Sequence, residues 1–493
     1  MLDAATIAFQ SLLQVKVLVL LFFGVMLGII IGAIPGLTST MGVALMIPFT
    51  FGMTPIGGIA LLVGVYVGGT SGGQVSAILM RMPGTPSSVA TTFDGFPMAR
   101  KGQAGKALGT GVLCSFFGTL VSAVVLILVA PQLARIALKF SAFEYFSISV
   151  FAMTMIVSLA GGSIVKALIA ACLGFLLSTI GVSPVDGMPR FTFGMLELVS
   201  GFDLLPIVIG LFAVPQVLSD IENIGVTFEA EYKVSRFFPS RDEMRDNLAN
   251  LLRSALIGVG IGILPGIGSS TSNLIAYSEA KRRSKHPEKF GTGIIDGIVA
   301  SETANNANIG GALIPLLTLG IPGDTVTAML IGGLMIHGLQ PGPMLFHNNP
   351  EIVYGVFIAL IFASVFMFIQ MYWGMRLFVK ALKTPKEFLL PLILVFCALG
   401  SYALNSRVYD IWVMLAFGLI GAIMEKYEYP VVPMFLGIIL GPMLETNYRR
   451  ALMASAGSHL PFITRPISLL FLLLALVFLV GPQMRRRFVK EPN

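Results

Sequence analysis

Charge is scarce in this chain of 493 residues: Asp, Glu, Lys and Arg make up 12% of it, against 55% apolar residues. No soluble domain is visible, since the longest polar stretch, 222–253, is too short to form one. Cysteine is also sparse. Cys114, Cys172 and Cys397 sit in apolar runs with neither metal-ligand nor paired spacing, and read as buried free thiols. The four histidines (His286, His337, His347, His459) lack ligand spacing and read as structural or solvated. There is no His-Glu-x-x-His, and no Gly-x-Ser-x-Gly with a His partner. A Walker A sequence is missing too, which argues against direct ATP drive. No basic segment and small-residue cleavage site frame the first apolar run, so a cleavable signal peptide is not expected. Met1 to Gln14 reads as an interfacial amphipathic segment.

Apolar spans of the ~20 residues that cross a hydrocarbon core recur along the chain. Val17 to Ile34, Leu108 to Ala130, Leu204 to Leu218 and Leu469 to Val480 are clear or nearly clear cases, and mean hydropathy is +0.87. The net charge of +7 is not a nucleic-acid signal. Its basic residues cluster in short loops between apolar runs, where they set topology.

One polar, broken apolar hairpin occurs twice. Gly-Ala-Ile-Pro-Gly-Leu-Thr-Ser-Thr spans Gly32 to Thr40, and Gly-Ile-Leu-Pro-Gly-Ile-Gly-Ser-Ser spans Gly262 to Ser270. Each is followed by a Gly-rich apolar stretch and a second Pro-Gly-hydroxyl element, at Met82 to Thr85 and at Ile321 to Thr325. Lipid tolerates open backbone only where protein or a wet cavity covers it. Matching breaks in two halves point to a transporter site near the membrane midplane.

The charges suggest a topology. Lys281, Arg282, Arg283 and Lys285, the run Arg376, Lys380, Lys383, Lys386, and the tail Arg485 to Arg487 read as cytoplasmic. So does the linker with Lys233, Arg236, Arg241, Arg245 and Arg253. Ser254 to Glu279 has basic loops at both ends and reads as a re-entrant hairpin turning at Pro265-Gly266. Leu18 to Thr54 reads as its counterpart, entering from the opposite side. Single spans are expected near 57–80, 107–130, 141–159, 164–181, 203–219, 293–319, 351–375, 388–404, 408–424, 430–447 and 466–483. Arg135 with Lys139, and Arg449, Arg450 and Arg465, fall outside in this scheme, against the usual bias. The domain reading is a first membrane repeat, 1–221, a cytoplasmic linker, 222–253, and a second repeat with C-terminal spans, 254–493.

The chemistry expected at the breaks is neutral. Pro35, Gly36, Thr38, Ser39 and Thr40 mark the first tip, and Gly266, Ser269, Ser270 and Thr271 the second. Free N–H groups of a helix that starts mid-membrane suit a carboxylate, where a fixed Lys or Arg is expensive. Helix packing through small residues is the alternative for each cluster. Gly84, Thr85 and Ser87, with Gly323 and Thr325, extend the candidate substrate set; their hydroxyls would also cap the helices that follow. Thr70, Ser71, Glu302, Asn305, Asn306, Asn308 and Asp324 are the candidate ion-coupling residues. Asn305 and Asn308 supply hard oxygens for Na⁺, a structural polar network being the other reading. Asp324 is a cap or a cation ligand, and Asp296 is a third carboxylate open to coupling.

These motifs resemble the large membrane subunit, TctA, of the tripartite tricarboxylate transporter family. The resemblance rests on Gly-Ala-Ile-Pro-Gly-Leu at 32–37, Met-Pro-Gly-Thr-Pro at 82–86 and Phe-Asp-Gly-Phe-Pro-Met-Ala at 93–99. Ser-Glu-Thr-Ala-Asn-Asn-Ala at 301–307, Leu-Gly-Ile-Pro-Gly at 319–323 and His-Gly-Leu-Gln-Pro-Gly-Pro at 337–343 complete it, in order, over nearly the whole chain. It implies a multi-pass carrier of the bacterial inner membrane that takes up organic carboxylates on an ion gradient. It further implies a small transmembrane subunit and a periplasmic solute-binding protein as partners. No cofactor is expected beyond a coupling ion, with Na⁺ and the proton both open. The expected fold is an all-α polytopic membrane protein: an inverted-repeat secondary transporter with two re-entrant Pro-Gly hairpins, moving in an elevator-like way. The chain is not expected to be an enzyme; an intramembrane enzyme and a passive carboxylate channel are the alternatives.

Overall fold

The computed structural model describes residues 2–159, 163–222, 237–381 and 386–488. Lys233, Arg236 and Lys383 of the topology argument lie outside them. The chain opens with α1 (Leu2–Leu12), α2 (Val15–Ala33), α3 (Ser39–Thr50), α4 (Pro55–Met80), α5 (Thr91–Met98) and α6 (Ala104–Ala137). It continues with α7 (Ala142–Leu159), α8 (Ile164–Ser178), α9 (Leu204–Val208) and α10 (Val214–Glu222). From residue 241 on come α11 (Arg241–Asp246), α12 (Leu248–Ile263), α13 (Gly268–Arg283), α14 (Ile295–Leu319), α15 (Thr325–Ile336), α16 (Pro343–Asn348) and α17 (Pro350–Ala381), α11 and the start of α12 falling within the linker read from the sequence. The last helices are α18 (Lys386–Asn405), α19 (Val408–Lys426), α20 (Val431–Ala454), α21 (Leu460–Thr464) and α22 (Pro466–Phe488). The strands among the described residues form one two-stranded ribbon, β1 Gly181–Val182 against β2 Pro189–Arg190.

Among the described residues, six segments are long and apolar enough to cross a membrane: α2, α4, the stretch Thr91–Ala137, most of α17, α19 and α20. The chain is an all-α, multi-pass membrane protein. α14 has the length but not the apolarity, because Glu302, Asn305, Asn306 and Asn308 lie in its middle; it buries every residue from Gly297 to Thr318. The span expected near 203–219 is helical from Leu204 to Glu222, with a π-helical segment at Ile209–Ala213 joining α9 to α10, flanked by Pro206 and Pro215.

Two compact units result, one of 1–134 with 216–404, the other of 135–215 with 405–493. Each takes segments from both sides of the linker. In the first unit, α2 and α4 meet through glycines four residues apart, the small-residue spacing that lets membrane helices touch backbone to backbone. A Cβ on Gly24, Gly28 or Gly32 would fall 2.1–2.4 Å from the carbonyl oxygens of Leu61, Val65 and Gly69. Gly68 and Gly72 of α4 return the contact, onto the carbonyls of Val25 and Ile29. α12 and α14 repeat the device: Gly258 faces the Ala304 carbonyl, Gly262 that of Asn308, and Gly311 that of Val259.

The second unit packs α8 on α20 through Gly174 and Gly437, and α7 on α22. Arg190 makes two bonds to Glu445, of 2.7 and 3.1 Å, and Arg449 pairs with Asp186 at 2.9 Å. Arg465 pairs with Glu144 at 3.1 Å. Arg449 and Arg465, which the charge-based scheme leaves on the outside, are thus held by acids of the same unit. Cys114 and Cys397 are buried, but Cys172 is exposed, contrary to the expectation for all three. It lies on the outer face of an apolar helix, beside exposed Leu173 and Leu176, where lipid rather than protein is the natural neighbour.

Gly32→Val should lose about 1–3 kcal/mol through overpacking, since its side chain would meet the Gly69 carbonyl. The check is a melting temperature in detergent, with Gly260→Ala, whose Cβ meets nothing within 4 Å, as the silent control. A wild-type melt for Gly32→Val would show that α2 and α4 do not meet there.

Candidate functional site

Each hairpin breaks for the same local reason. Pro withdraws an N–H and Gly takes a positive φ, so the chain leaves one helix and re-enters another within a few residues. After α2 the chain is extended at Ile34 and turns at Gly36, with φ 98°. Thr38 then caps α3, its hydroxyl accepting from the Met41 N–H at 3.1 Å. After α12 it is extended at Leu264, and turns at Gly266 and Gly268, with φ 79° and 74°. No side chain caps α13. Ser269, Ser270 and Thr271 in its first turn are only partly buried, and its opening N–H groups have no partner within the helix.

The second Pro-Gly elements seat on these breaks. A Cβ on Gly84 would fall 2.1 Å from the Gly32 carbonyl, and one on Gly323 would fall 2.5 Å from that of Gly262. Only glycine allows either contact. The Gly266 N–H also donates to the Gly323 carbonyl at 2.9 Å.

The two hairpins then exchange contacts. Thr40, at the first tip, shares a 2.8 Å hydrogen bond with Thr325, just past the second Pro-Gly. Asn273, in the second hairpin, donates to the Ser87 carbonyl at 2.7 Å and accepts from the Ala90 N–H at 2.9 Å, just past the first Pro-Gly. Thr85 and Ser87 share a bond of 2.7 Å there.

The polar spans of α4 and α14 lie against each other and α6. The Ser71 hydroxyl donates to Asn306 Oδ1 at 2.7 Å, and Asn306 Nδ2 donates to Ser115 at 2.8 Å. Glu302 accepts from Thr91 at 2.5 Å and from Ser115 at 3.2 Å. Asp324 caps α15 through the Thr327 N–H, at 2.8 Å. Its other oxygen accepts from the Tyr66 hydroxyl at 2.5 Å and from Asn308 Nδ2 at 3.2 Å. Both buried acids are therefore met by hydroxyl and amide groups. Among the described residues, neither polar atom of Asn305 finds a partner, and Asn308 Oδ1 finds none either.

Of the sequence candidates, the structure brings together Thr40 with Thr325, Ser71 with Asn306, and Asn308 with Asp324. Thr70 is buried on α4 beside Ser71. Asp296 stands apart, half-buried in the first turn of α14. The histidines hold no metal cluster among the described residues. Sequence reasoning about the site missed Tyr66 and Asp94. Asp94 is buried and accepts the N–H groups of Gly291, Gly293 and Ile294 at 2.8–3.0 Å, and the Tyr277 hydroxyl at 2.8 Å. It thereby shapes the loop that launches α14. Its available signal was an acid inside an otherwise uncharged Phe-Asp-Gly-Phe-Pro-Met-Ala motif. For Tyr66 it was a hydroxyl inside an apolar span, which needs a partner.

The sequence profile of the tripartite tricarboxylate transporter TctA family matches residues 18–436. A 52.8 kDa uncharacterized protein of the TAR-I ttuC' 3' region of Agrobacterium vitis is 36% identical over 475 residues, 96% of this chain and 95% of that protein. An uncharacterized protein of the TAR-II ttuC' 3' region of the same organism is 34% identical over 220 residues, 45% of this chain and 91% of that protein. No solved structure matches the chain.

Asn273→Leu strips a carbonyl and an N–H of their buried partner, at about 1–3 kcal/mol each. Its melting temperature in detergent should fall clearly below wild type, while Asn273→Gln recovers part of the loss. No change for the leucine variant would mean that the two hairpins are not tied at this point.

Proposed function

From the premise that this chain belongs to the tripartite tricarboxylate transporter TctA family, we propose that it is the large membrane subunit of a binding-protein-dependent importer of organic carboxylates, driven by an ion gradient. Transport is the family's activity, and the family's tripartite organisation implies partner subunits. A small transmembrane subunit and a periplasmic binding protein fill those roles, and the bacterial inner membrane is the site of action.

The observation that carries the reading is the exchange of contacts between two broken hairpins, Thr40 onto Thr325 and Asn273 onto Ser87 and Ala90. It supports two inverted repeats, each with a re-entrant hairpin, sharing one site. The substrate's carboxylates are met by hydroxyls and free N–H groups at the starts of α3 and α13. The start of α15 is closed by the carboxylate of Asp324 itself, so Gly323 and Thr325 shape the site more than they bind an anion there. No Lys or Arg lies in either tip, at 34–40 or 264–273. This fits a cargo that must be released as well as bound, since a fixed buried cation would hold an anion tightly and at high desolvation cost. In the elevator form of alternating access, the hairpin-bearing segments carry the site across while the remaining spans stay in place.

The test is uptake of labelled carboxylates, citrate first and then a panel, into proteoliposomes holding this chain and its small partner, with binding protein outside and an imposed Na⁺ or proton gradient. Accumulation should require the binding protein and a gradient. Ser270→Leu, at a partly buried tip position, should cut uptake at least tenfold while leaving the melting temperature in place. Failure across the whole panel would overturn the carrier, and full uptake by both Ser270→Leu and Thr40→Leu would move the site elsewhere.

A further inference from the structure

Three asparagines lie within four residues of α14, and they are not equivalent. Asn306 is fully committed: Oδ1 accepts from Ser71, and Nδ2 donates to Ser115 and to the Glu302 carbonyl at 3.1 Å. Asn305 and Asn308 are also fully buried, yet both polar atoms of Asn305 and the Oδ1 of Asn308 lack a partner among the described residues. Asn305 stands beside Glu302 without making a bond of good geometry to it. For Asn308 the amide orientation is set independently. Its Nδ2 donates to the Asp324 carboxylate, so the free atom is the oxygen. Three apart on one helix, the two side chains stand on adjacent turns of the same face.

A buried polar atom without a partner is costly, and more so in an apolar medium. The neighbouring charge has the same sign of imbalance. Asp324 is buried and is met only by Tyr66, Asn308, Thr327 and backbone, with no basic side chain among its contacts. α12 ends with its last turn against the same part of α14, Gly262 touching the Asn308 carbonyl and the Ala312 N–H. A helix C-terminus carries the negative end of the helix dipole and free carbonyls.

We infer that Asn305 and Asn308 form a Na⁺ site on α14, with Asp324 as its counter-charge and the carbonyl end of α12 beside it. This rests on the ion-driven carrier reading and names its ion. The donor chemistry selects the class of ion. The free ligands are neutral amide and carbonyl oxygens, with carboxylates only behind them, Asp324 bonded to Asn308 and Glu302 beside Asn305, and such a set suits a hard monovalent cation. Divalent hard ions draw on several carboxylates or keep much of their water, and transition metals prefer imidazole or thiolate; no group of three or more His, Cys, Asp or Glu is found among the described residues. The two free oxygens come from side chains of a rigid helix, and Tyr66 and Thr327 hold the carboxylate in place. The second hairpin reaches the same place, a Cβ on Gly268 falling 3.7 Å from the Asp324 side chain, and Asp324 precedes Thr325 of the Thr40–Thr325 contact. Occupancy by a cation would therefore be felt at the tips that meet the substrate.

The experiment is equilibrium binding of radioactive Na⁺ to the purified full chain in detergent, with no substrate or gradient present, alongside the rise in melting temperature as NaCl replaces choline chloride. Wild type should bind Na⁺ saturably and gain stability from it. Asn305→Ala and Asn308→Ala should each weaken both readouts at least tenfold, while Gly260→Ala on the open face of α12 should match wild type. Because Asn305 makes no bond to lose, its alanine variant should fold normally in choline. Absence of saturable Na⁺ binding in wild type, or undiminished binding in both alanine variants, overturns the inference. Proton-driven uptake by a chain that does not bind Na⁺ would sink this site and keep the carrier. Na⁺ binding by a chain that imports no carboxylate would do the reverse.

Discussion

A helix that stops inside an apolar layer leaves N–H and C=O groups that no water can reach. The first unit is organised around covering such groups. Gly32 and Gly262 end the first arms of the two hairpins with carbonyls that must face something, and in both places the answer is the bare α-carbon of another glycine, Gly84 or Gly323. Any larger residue would lift the second Pro-Gly off the break. With the breaks covered, α4 and α14 can be polar at their centres and still lie inside the protein: 94% of the best span of α4 is buried, and α14 exposes nothing from Gly297 to Thr318. Glycine spacing on the helices and glycine at the breaks are thus one device, which brings backbones close enough that protein replaces solvent.

The contacts between hairpins go further than covering. Asn273 reaches across to Ser87 and Ala90, and Thr40 reaches Thr325, so each broken hairpin finishes the other half's Pro-Gly element. The two junctions differ in strength. The amide makes two bonds to buried backbone, whereas the threonine pair is one hydroxyl contact with a partly buried partner. Separating the first junction strands a carbonyl and an N–H; separating the second leaves two hydroxyls that water or a ligand can satisfy. On physical grounds the Thr40–Thr325 junction is the easier to open, and it is the one nearest the Asp324 network.

Much of this was legible because the signals are local. Pro35-Gly36 and Pro265-Gly266 announce breaks by backbone chemistry alone, and the helices turn where those pairs stand. The run from Ser301 to Asn308 is polar enough to require an interior position wherever it lies. What could not be read depends on neighbours distant in sequence. Asp94 matters because the loop at 291–294 folds onto it, a separation of about 200 residues. The choice among Asn305, Asn306 and Asn308 was equally invisible, since which amide is satisfied depends on where Ser71, Ser115 and Asp324 arrive. Cys172 was misplaced for a related reason: in a membrane protein an apolar helix face can point outward, so burial does not follow from an apolar run. The ribbon at 181–190 sits in a stretch the spans left blank, anchored by Arg190 on Glu445, 255 residues away.

The charge balance around the breaks bears on the proposed transport cycle. Glu302 and Asp324 are both buried among neutral donors, and a carboxylate substrate brings further negative charge to the same layer. The tips hold no fixed cation to offset it, and in a medium of low polarity like charges repel strongly at the distances that separate neighbouring helices. A fixed Lys or Arg would solve the problem for binding and recreate it for release, because the site would then have to give up an ion pair to let the substrate go. A mobile cation avoids that conflict. In the proposed cycle it would arrive with the substrate, neutralise the complex for its passage and depart with it. For the proposed carrier, coupling to an ion gradient would then follow from the absence of Lys and Arg at the tips: the compensating charge would have to travel because the tips do not supply it.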